Sequence, residues 1–436
     1  MRANHAEEAI PIVATLGGIG EAFADRNFRI YSVGGIVSWL SFFVQMVAVS
    51  WTTWELTHST TWLAIVALLD IAPNIVFLPL GGVLADRCDR FRIVVITHIL
   101  ALFQSLALTV LAYDGQLTIG LIAVLAFLHG LIHSFSAPGL FGMLPRFVDR
   151  ERLASAIAVS SAYTQFAIFA GPALAGWLIL HFGVATAFAT NVFGYFFYLC
   201  SIAFLRTPTD FRAPVASGRS VVGDLLDGAR YILGHPGISA LLLLMLMGDA
   251  LSSSVYQMLP AYADGILGMG VEGVSSLMAA AGFGATLSAL WLAQGGARRA
   301  TPRRVLWAFL AFTLAVSCVM LVQSLIPAVL AMIVFGIAGE MRRTGTVSLL
   351  QMSVRDERRG RVMATQFLLQ RVAGGIGVSV VGAVAEHHGL RAPMLIAAGL
   401  ALLAWAIAFR GRARILAAFA PDPTALTTGQ AAAETY

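Results

Sequence analysis

The 436-residue sequence contains no lysine, so all 28 of its basic residues are arginine. Charged residues of both signs make up only 12% of the chain, whereas a soluble globular domain carries about 25%. Hydrophobic residues reach 58% and are spread along the whole length. This composition excludes a soluble enzyme, a disordered regulator, a nucleic-acid-binding protein and a soluble domain with a single membrane anchor.

Cysteines and nucleotide-binding motifs are scarce as well. The three cysteines, Cys88, Cys200 and Cys318, are too far apart for a zinc site and do not indicate a disulfide framework. No Walker or Rossmann signature stands between a strand and a helix. The acidic residues Glu7 and Asp25 precede the first apolar run, which is not the pattern of a signal peptide. We therefore predict an uncleaved membrane protein that is not an enzyme and needs no cofactor.

Apolar runs long enough to cross a bilayer, about 20 residues each, recur twelve times. They are residues 30–54, 62–84, 93–113, 117–144, 155–180, 184–205, 238–263, 273–294, 304–323, 326–350, 362–385 and 391–410. The pattern predicts an all-α integral membrane protein with 12 transmembrane helices in two six-helix bundles. The predicted divisions are a cytoplasmic N-terminal segment (1–25), an N-terminal bundle (26–206), a cytoplasmic linker (207–236), a C-terminal bundle (237–410) and a cytoplasmic tail (411–436).

The arginines orient these spans. Three of them, Arg342, Arg343 and Arg371, fall inside apolar runs. Of the other 25, 24 lie on one side of the predicted membrane and only Arg391 lies on the other. Because arginine-rich loops stay in the cytoplasm, we expect both termini and the linker on the cytoplasmic side of a bacterial inner membrane. Three tryptophans within residues 51–62 form an aromatic belt at the opposite interface.

The two halves of the sequence resemble each other. Residues 143–152 end the fourth run and residues 349–358 end the tenth, at a constant offset of 206, and both stretches are rich in arginine and acidic residues. Together with six runs in each half, this offset favours a duplicated bundle, in which the binding cavity lies between the repeats.

The loop between the second and third runs, residues 81–92, carries the most specific motif. It reads Gly-Gly-Val-Leu-Ala-Asp-Arg-Cys-Asp-Arg-Phe-Arg and resembles the loop signature of the major facilitator superfamily, with Asp89 in place of the usual glycine. This variant is similar to the branch of siderophore exporters, lysophospholipid transporters and multidrug efflux proteins. The resemblance covers residues 26–410 and implies the twelve-helix major facilitator fold, alternating access and a monomer.

The resemblance also implies a cytoplasmic gate made of Gly82, Asp86, Arg87 and Arg90. Gly82 lets its helix approach a neighbour in the other half closely. Asp86 accepts hydrogen bonds from a helix N-terminus or from a facing arginine. The alternative is a set of solvated loop charges without a gating role.

A glycine–proline element lies in the fifth run. Residues 171–176, Gly-Pro-Ala-Leu-Ala-Gly, resemble a motif of antiporters in this superfamily. Pro172 removes a backbone hydrogen bond and Gly171 permits close packing, so the pair predicts a helix bend. Helix packing without any link to the direction of transport is the alternative.

Ionisable residues inside membrane spans are costly and mark candidate functional sites. In the tenth and eleventh runs these are Glu340, Arg342, Arg343 and Arg371. Because a guanidinium suits carboxylates and phosphates, we predict that the arginines bind an anionic or zwitterionic organic substrate, with Glu340 orienting one of them. The alternative is an internal ion-pair network that fixes helix packing.

Proton coupling needs a group whose ionisation changes between accessible and buried states. Asp70 and Asp249, each in the middle of a run, are the first candidates, together with Glu340. His129 and His133, one turn apart in the fourth run, come second, although drug antiporters of the superfamily carry an arginine in that span. Hydrogen-bonded packing is the alternative for the histidines. Their spacing suits metal ligands, but a third ligand is missing, so no metal site is predicted.

These observations predict a secondary transporter that works by alternating access, with a small organic molecule, protons and the lipid bilayer as its partners. Proton-coupled export of an amphipathic siderophore-like or drug-like compound is the main expectation. The alternatives are a lysophospholipid flippase, an importer of an organic anion and a non-transporting sensor on a transporter fold.

Overall fold

The computed structural model of the chain describes residues 23, 25–143, 147–148, 152–205, 221–295, 299, 301–354 and 356–419. Within these residues the regular structure is helical throughout. Most of the predicted N-terminal segment and C-terminal tail, and residues 206–220 around the predicted linker, lie outside them. The same holds for much of the repeated stretch at 143–152.

The described part of the chain contains fourteen α-helices. Twelve of them are long and apolar enough to cross a membrane, which confirms the predicted all-α fold with twelve spans. The spans are α1 (Arg26–Thr57), α2 (Thr60–Arg87), α3 (Arg90–Tyr113), α4 (Ile119–Met143), α5 (Leu153–Phe182), α6 (Val184–Ala203), α8 (Pro236–Gly265), α9 (Gly270–Gly295), α10 (Pro302–Leu321), α11 (Leu325–Ser353), α12 (Asp356–His388) and α13 (Arg391–Arg410). The other two are the linker helix α7 (Val221–Leu233) and the short α14 (Arg412–Ala418).

Apolar runs in lipid must form helices, because the bilayer offers no partner for free backbone N–H and C=O groups. The shortest spans have 20 residues and so reach about 30 Å, the thickness of the hydrocarbon core. Two of the twelve spans begin with a polar cap. Asp89 Oδ1 accepts a hydrogen bond from the Phe91 amide at 2.9 Å before α3, and Thr301 Oγ1 accepts one from the Arg304 amide at 3.4 Å before α10.

The helices cluster into two compact units, of which the first comprises Met1–Thr57, Leu69–Ser217 and Val274–Ala279. In this unit α1 packs against α5 and α6, and α3 packs against α4 and α6. One buried core cluster joins α1, α3, α4 and α6: Tyr31, Val94, Met143, Phe147, Tyr198, Ile202 and Leu205.

The second unit comprises His58–Leu68, Gly218–Gly273 and Ala280–Tyr436. Here α10 packs against α11 and α13, while α12 packs against α8 and the linker helix α7. The linker helix is fixed by Arg361 of α12, whose guanidinium lies 2.9 Å from Asp224 and 3.1 Å from Asp227. The part of the linker that the structure describes is therefore attached to this unit.

Two glycines at the 206-residue offset have equivalent environments in their own units. A Cβ added at Gly130 of α4 would lie closer than 3.0 Å to the carbonyl of Asp70 in α2. A Cβ added at Gly336 of α11 would lie equally close to the carbonyl of Ala281 in α9. Both glycines allow two helix backbones to approach closely, which agrees with a duplicated architecture.

Candidate functional site

An ion pair is buried in the interior of the second unit. The Arg342 guanidinium on α11 donates through Nη2 to Asp249 Oδ1 on α8 and through Nη1 to the Met245 carbonyl, both at 2.8 Å. The two charged side chains are only 2% and 7% exposed. The ring of Phe312 lies 4.9 Å from the guanidinium carbon and adds a cation–π contact.

A glycine makes room for this pair. A Cβ added at Gly248 would lie closer than 3.0 Å to the Arg342 guanidinium, so a larger residue would displace it. Asp249 Oδ2 and Arg342 Nε are buried without a hydrogen-bond partner among the described atoms. Because desolvating two charges is costly, an incompletely bonded pair at this depth is a candidate for function.

Arg343 has a different environment from its neighbour. Successive helix residues point about 100° apart, and Arg343 leaves 45% of its side chain exposed. Its Nη2 donates to Glu340 Oε2 at 2.7 Å, and the Thr344 hydroxyl donates to the other oxygen of that carboxylate. Glu340 thus forms an ion pair with Arg343, three residues later on the same helix.

The third predicted arginine, Arg371, lies on α12. Its guanidinium carbon is 5.2 Å from the centre of the Phe367 ring one turn earlier. On α8, Tyr256 packs its ring against Phe335 of α11, with centroids 5.5 Å apart. This tyrosine is half-buried and lies within electrostatic range of Glu340 and Arg343, so it belongs to the same polar region.

A second polar cluster lies in the first unit, between α2 and α4. Asp70 Oδ1 and His129 Nδ1 are 2.7 Å apart, a hydrogen-bond distance at which the carboxylate accepts. One turn further along, His133 Nδ1 lies 3.4 Å from Asn74 Oδ1. Phe42 of α1 covers both imidazoles. The structure thus brings Asp70 and His129 into direct contact, whereas Asp249 belongs to the second unit.

The predicted gate lies where α2 ends and α3 begins. The side chains of Asp86 and Arg87 lie outside the described residues. Arg90 donates through Nε to the Ala85 carbonyl at 3.1 Å and so closes the loop. Asp89 is the N-cap of α3, which gives this departure from the superfamily signature a structural reason.

The two neighbouring glycines, Gly81 and Gly82, have different surroundings within the first unit. No described atom lies within 4 Å of a Cβ added at Gly82, whereas one added at Gly81 would lie closer than 3.0 Å to the Ser134 carbonyl. The close approach of α2 to α4 therefore falls at Gly81, because that residue faces α4.

The glycine–proline element lies well inside α5. A Cβ added at Gly171 would lie closer than 3.0 Å to Phe43 of α1, so this glycine provides a close helix contact. Pro172 follows it within the same continuous helix, Leu153–Phe182. The packing function of the glycine is thus visible.

Glu386, near the end of α12, makes polar contacts with the start of α2 that the sequence did not reveal. Its Oε2 accepts hydrogen bonds from Ser59 Oγ at 2.9 Å, Thr60 Oγ1 at 3.1 Å and the Thr61 amide at 3.1 Å. This carboxylate therefore caps the first turn of α2, although the two segments are more than 300 residues apart in the sequence. The predicted run ended at residue 385, which placed Glu386 in a loop, and no local pattern indicates such a distant partner.

Comparison with curated proteins finds bacterial efflux proteins. The chain is 24% identical over 225 residues to macrolide efflux protein A of Streptococcus pyogenes, which covers 51% of this chain and 56% of that protein. It is 27% identical over 265 residues to the enterobactin exporter EntS of Escherichia coli, which covers 60% of this chain and 62% of the exporter. The chain thus spans between half and two thirds of the length of these relatives.

Comparison with known structures finds the same fold at low sequence identity. A bacterial homologue of the human lysosomal transporter Spinster, in an inward-facing conformation, superposes with a TM-score of 0.69 at 14% identity, over 93% of this chain and 99% of that one. The nucleoside transporter NupG gives 0.67 at 15% identity, over 91% and 100%. The family model described as transmembrane secretion effector matches residues 21–433. The chain therefore belongs to the transmembrane secretion effector family of the major facilitator superfamily.

Proposed function

We propose that this protein is a secondary active exporter that moves an amphipathic anionic or zwitterionic organic compound, siderophore-like or drug-like, across the bacterial inner membrane. The names of its relatives support efflux as the direction, since one exports enterobactin and the other is a macrolide efflux protein. The observation that carries the substrate class is Arg343, whose side chain is 45% exposed in the middle of a membrane span.

An exposed arginine at this depth needs water or a ligand around it, because contact with lipid tails is costly. Glu340, which also accepts a hydrogen bond from the Thr344 hydroxyl, takes up one side of the group and fixes its direction. A guanidinium has five N–H donors, so a substrate carboxylate or phosphate can still accept two of them side by side. We assign substrate binding to Arg343, with Glu340 as its positioning partner and Arg371 as a further contact.

Arg342 joins this site through its ion pair with Asp249. When Asp249 takes up a proton, the attraction that holds Arg342 on α8 weakens and its guanidinium becomes available to an anion. The proton and the substrate would then act on one pair of residues, which couples their movements. The 2.8 Å contact and the burial of both side chains support this mechanism.

The Asp70–His129 pair is a second proton carrier in this proposal. Its 2.7 Å contact and the 43% exposure of Asp70 let the two groups exchange a proton with water and share it. His133, one turn away, can pass the proton along α4.

The remaining parts of the proposal concern the gate, the helix bend and the assembly. The gate residues Gly82, Asp86, Arg87 and Arg90 close the cytoplasmic side, and Gly171 and Pro172 provide a bend in α5. The protein works as a monomer with both termini in the cytoplasm.

The test is transport by the purified protein in liposomes. An imposed pH gradient should drive accumulation of a catecholate siderophore or a macrolide, and the accumulation should stop when an ionophore collapses the gradient. Protein-free liposomes are the control. Movement of lysophosphatidylglycerol without any dependence on the gradient would favour a flippase instead. Binding of a compound without flux would indicate a sensor.

A further inference from the structure

Two spans of the second unit, α10 and α13, carry exposed arginines at the same end. α10 begins where the antiparallel α13 ends, and aromatic contacts fix them side by side. The ring of Trp307 lies 6.0 Å from Trp405 and 5.4 Å from Phe409, measured between ring centres. Trp405 Nε1 also donates to the Leu306 carbonyl at 2.8 Å. The start of α10, the end of α13 and the short α14 thus form one surface, which we call the arginine end.

The arginine end carries a high positive charge without acidic residues in its own segments. Five exposed arginines lie on it: Arg303, Arg304, Arg410, Arg412 and Arg414. The sequence has no aspartate or glutamate at 299–339 or at 387–420. α14 also packs against α8, whose first acidic residue is Asp249, already bonded to Arg342. Among the described residues, Arg410, Arg412 and Arg414 form no ion pair with a carboxylate, so their positive charges can interact with an anion from outside the protein.

Apolar stripes lead to this charge along both helices. On α13 the exposed residues Leu400, Leu403 and Ile407 follow one face that ends in Arg410. On α10 the exposed Leu314 and Trp307 follow one face towards Arg303 and Arg304. Ten residues of helix reach about 15 Å, which is half the hydrocarbon core and the length of one acyl chain. Trp307 lies at the level where apolar surface gives way to charge, as tryptophans at a membrane interface do.

We propose that the arginine end binds an anionic phospholipid, with its phosphate headgroup among Arg410, Arg412 and Arg414 and its acyl chains along the apolar stripes. Guanidinium groups bind phosphate oxygens in pairs, and clustered arginines beside a membrane span attract anionic headgroups. The exposed Leu416 of α14 faces the same interface, while its neighbour Ile415 is buried and holds the short helix against the protein. This site is separate from the substrate region and does not depend on what the protein transports.

Native mass spectrometry of the purified protein with added dioleoylphosphatidylglycerol or dioleoylphosphatidylcholine tests the proposal. Wild-type protein should retain the anionic lipid in preference to the zwitterionic one. The triple variant R410Q/R412Q/R414Q should lose about five-fold in this preference for each arginine removed, on the order of 100-fold in all. The matched control is R92Q/R230Q, since both of these arginines are more than three quarters exposed and lie elsewhere.

The proposal is overturned if the triple variant retains phosphatidylglycerol as the wild type does, or if inorganic phosphate at millimolar concentration displaces the lipid, since the site would then recognise free phosphate. A second measurement does not depend on the triple variant. Lipid with bromine on its acyl chains should quench tryptophan fluorescence more strongly as phosphatidylglycerol than as phosphatidylcholine. The variant W307F should reduce that difference. Equal quenching by both lipids in the wild type would contradict the proposal.

Discussion

The carboxylate of Asp249 and the guanidinium of Arg342 lie 2.8 Å apart in the interior of the second unit, although the two residues are 93 positions apart in the sequence. Both side chains are almost fully buried. A buried charge is tolerated only while its partner is present, so this contact links helix packing in α8 and α11 to the ionisation of a single aspartate.

Removing either partner of this pair should destabilise the protein. We expect D249A and R342A each to lose about 3–5 kcal/mol of unfolding free energy, because a lone buried charge remains. Denaturation of the detergent-solubilised protein, followed by circular dichroism, gives the measurement. R343A is the matched control, and it should lose less than R342A because the side chain of Arg343 is 45% exposed whereas that of Arg342 is 2% exposed. Equal losses of unfolding free energy in R342A and R343A would show that the buried ion pair contributes no more to stability than the partly exposed one.

The neutral pair D249N/R342Q should be more stable than either single variant with one charge left. The reason is that the double variant leaves no uncompensated charge in the interior. The same denaturation experiment gives the coupling energy between the two sites. Additive losses would mean that the two side chains do not interact in the membrane-embedded protein.

Arg343 should distinguish an anionic substrate from its neutral form. Once a transported carboxylate has been identified in the liposome screen, R343A should weaken its binding by about ten-fold or more, because a charge-assisted hydrogen bond contributes roughly 1.5–3 kcal/mol. The neutral methyl ester of the same compound should be affected much less. Isothermal titration of both compounds measures the difference. The same loss for acid and ester would assign Arg343 a purely structural role.

The Asp70–His129 contact should matter for the pH gradient rather than for substrate exchange. We expect D70N and H129Q to abolish gradient-driven accumulation while counterflow of labelled substrate at equal pH continues, because counterflow needs no net proton movement. H181Q is the control, since His181 is an exposed histidine whose ring nitrogen contacts the Trp177 carbonyl of its own helix. If D70N still accumulates substrate as the wild type does, the proton is carried elsewhere.

Gly130 and Gly336 should tolerate no larger residue. G130V and G336V would each force a side chain into a neighbouring carbonyl group, so the two helices must separate and the protein should lose several kcal/mol or fail to assemble. G120V and G399V are the controls, because a Cβ at either position meets no described atom within 4 Å. Yield and melting temperature after purification measure the effect. A normal melting temperature for both G130V and G336V would contradict the close helix contacts.

Glu386 should protect the first turn of α2. The variant E386Q keeps the shape of the side chain but removes the charge that strengthens its three hydrogen bonds. Backbone amides in residues 58–68 should then exchange hydrogen faster, as measured by mass spectrometry of peptides. H387Q, a change at the exposed neighbouring residue, should leave that exchange unchanged. Wild-type exchange in E386Q would mean that the carboxylate contributes little to this end of α2.

The number and type of helices could be predicted from the sequence because the bilayer allows few solutions. A run of twenty apolar residues must satisfy its own backbone hydrogen bonds, and only a helix does so within one segment. The loop motif at 81–92 was equally readable, since its spacing is local. Asp89 shows where such a local reading ends. The sequence identified it only as a departure from the superfamily motif, whereas the structure shows that its side chain caps α3.

The roles of the charged residues inside the spans depend on tertiary contacts. By itself, the sequence determined that Arg342 and Arg343 lie in one membrane span, and it allowed either a substrate site or an ion-pair network for both. Only the folded structure separated them, because the turn of the helix directs Arg342 to Asp249 on α8 and leaves Arg343 half exposed beside Glu340. Glu386 and Ser59, which are 327 residues apart, give the same lesson. Hydrophobicity is a property of a segment and can be read from it, whereas the partner of a buried charge is set by which helices pack together.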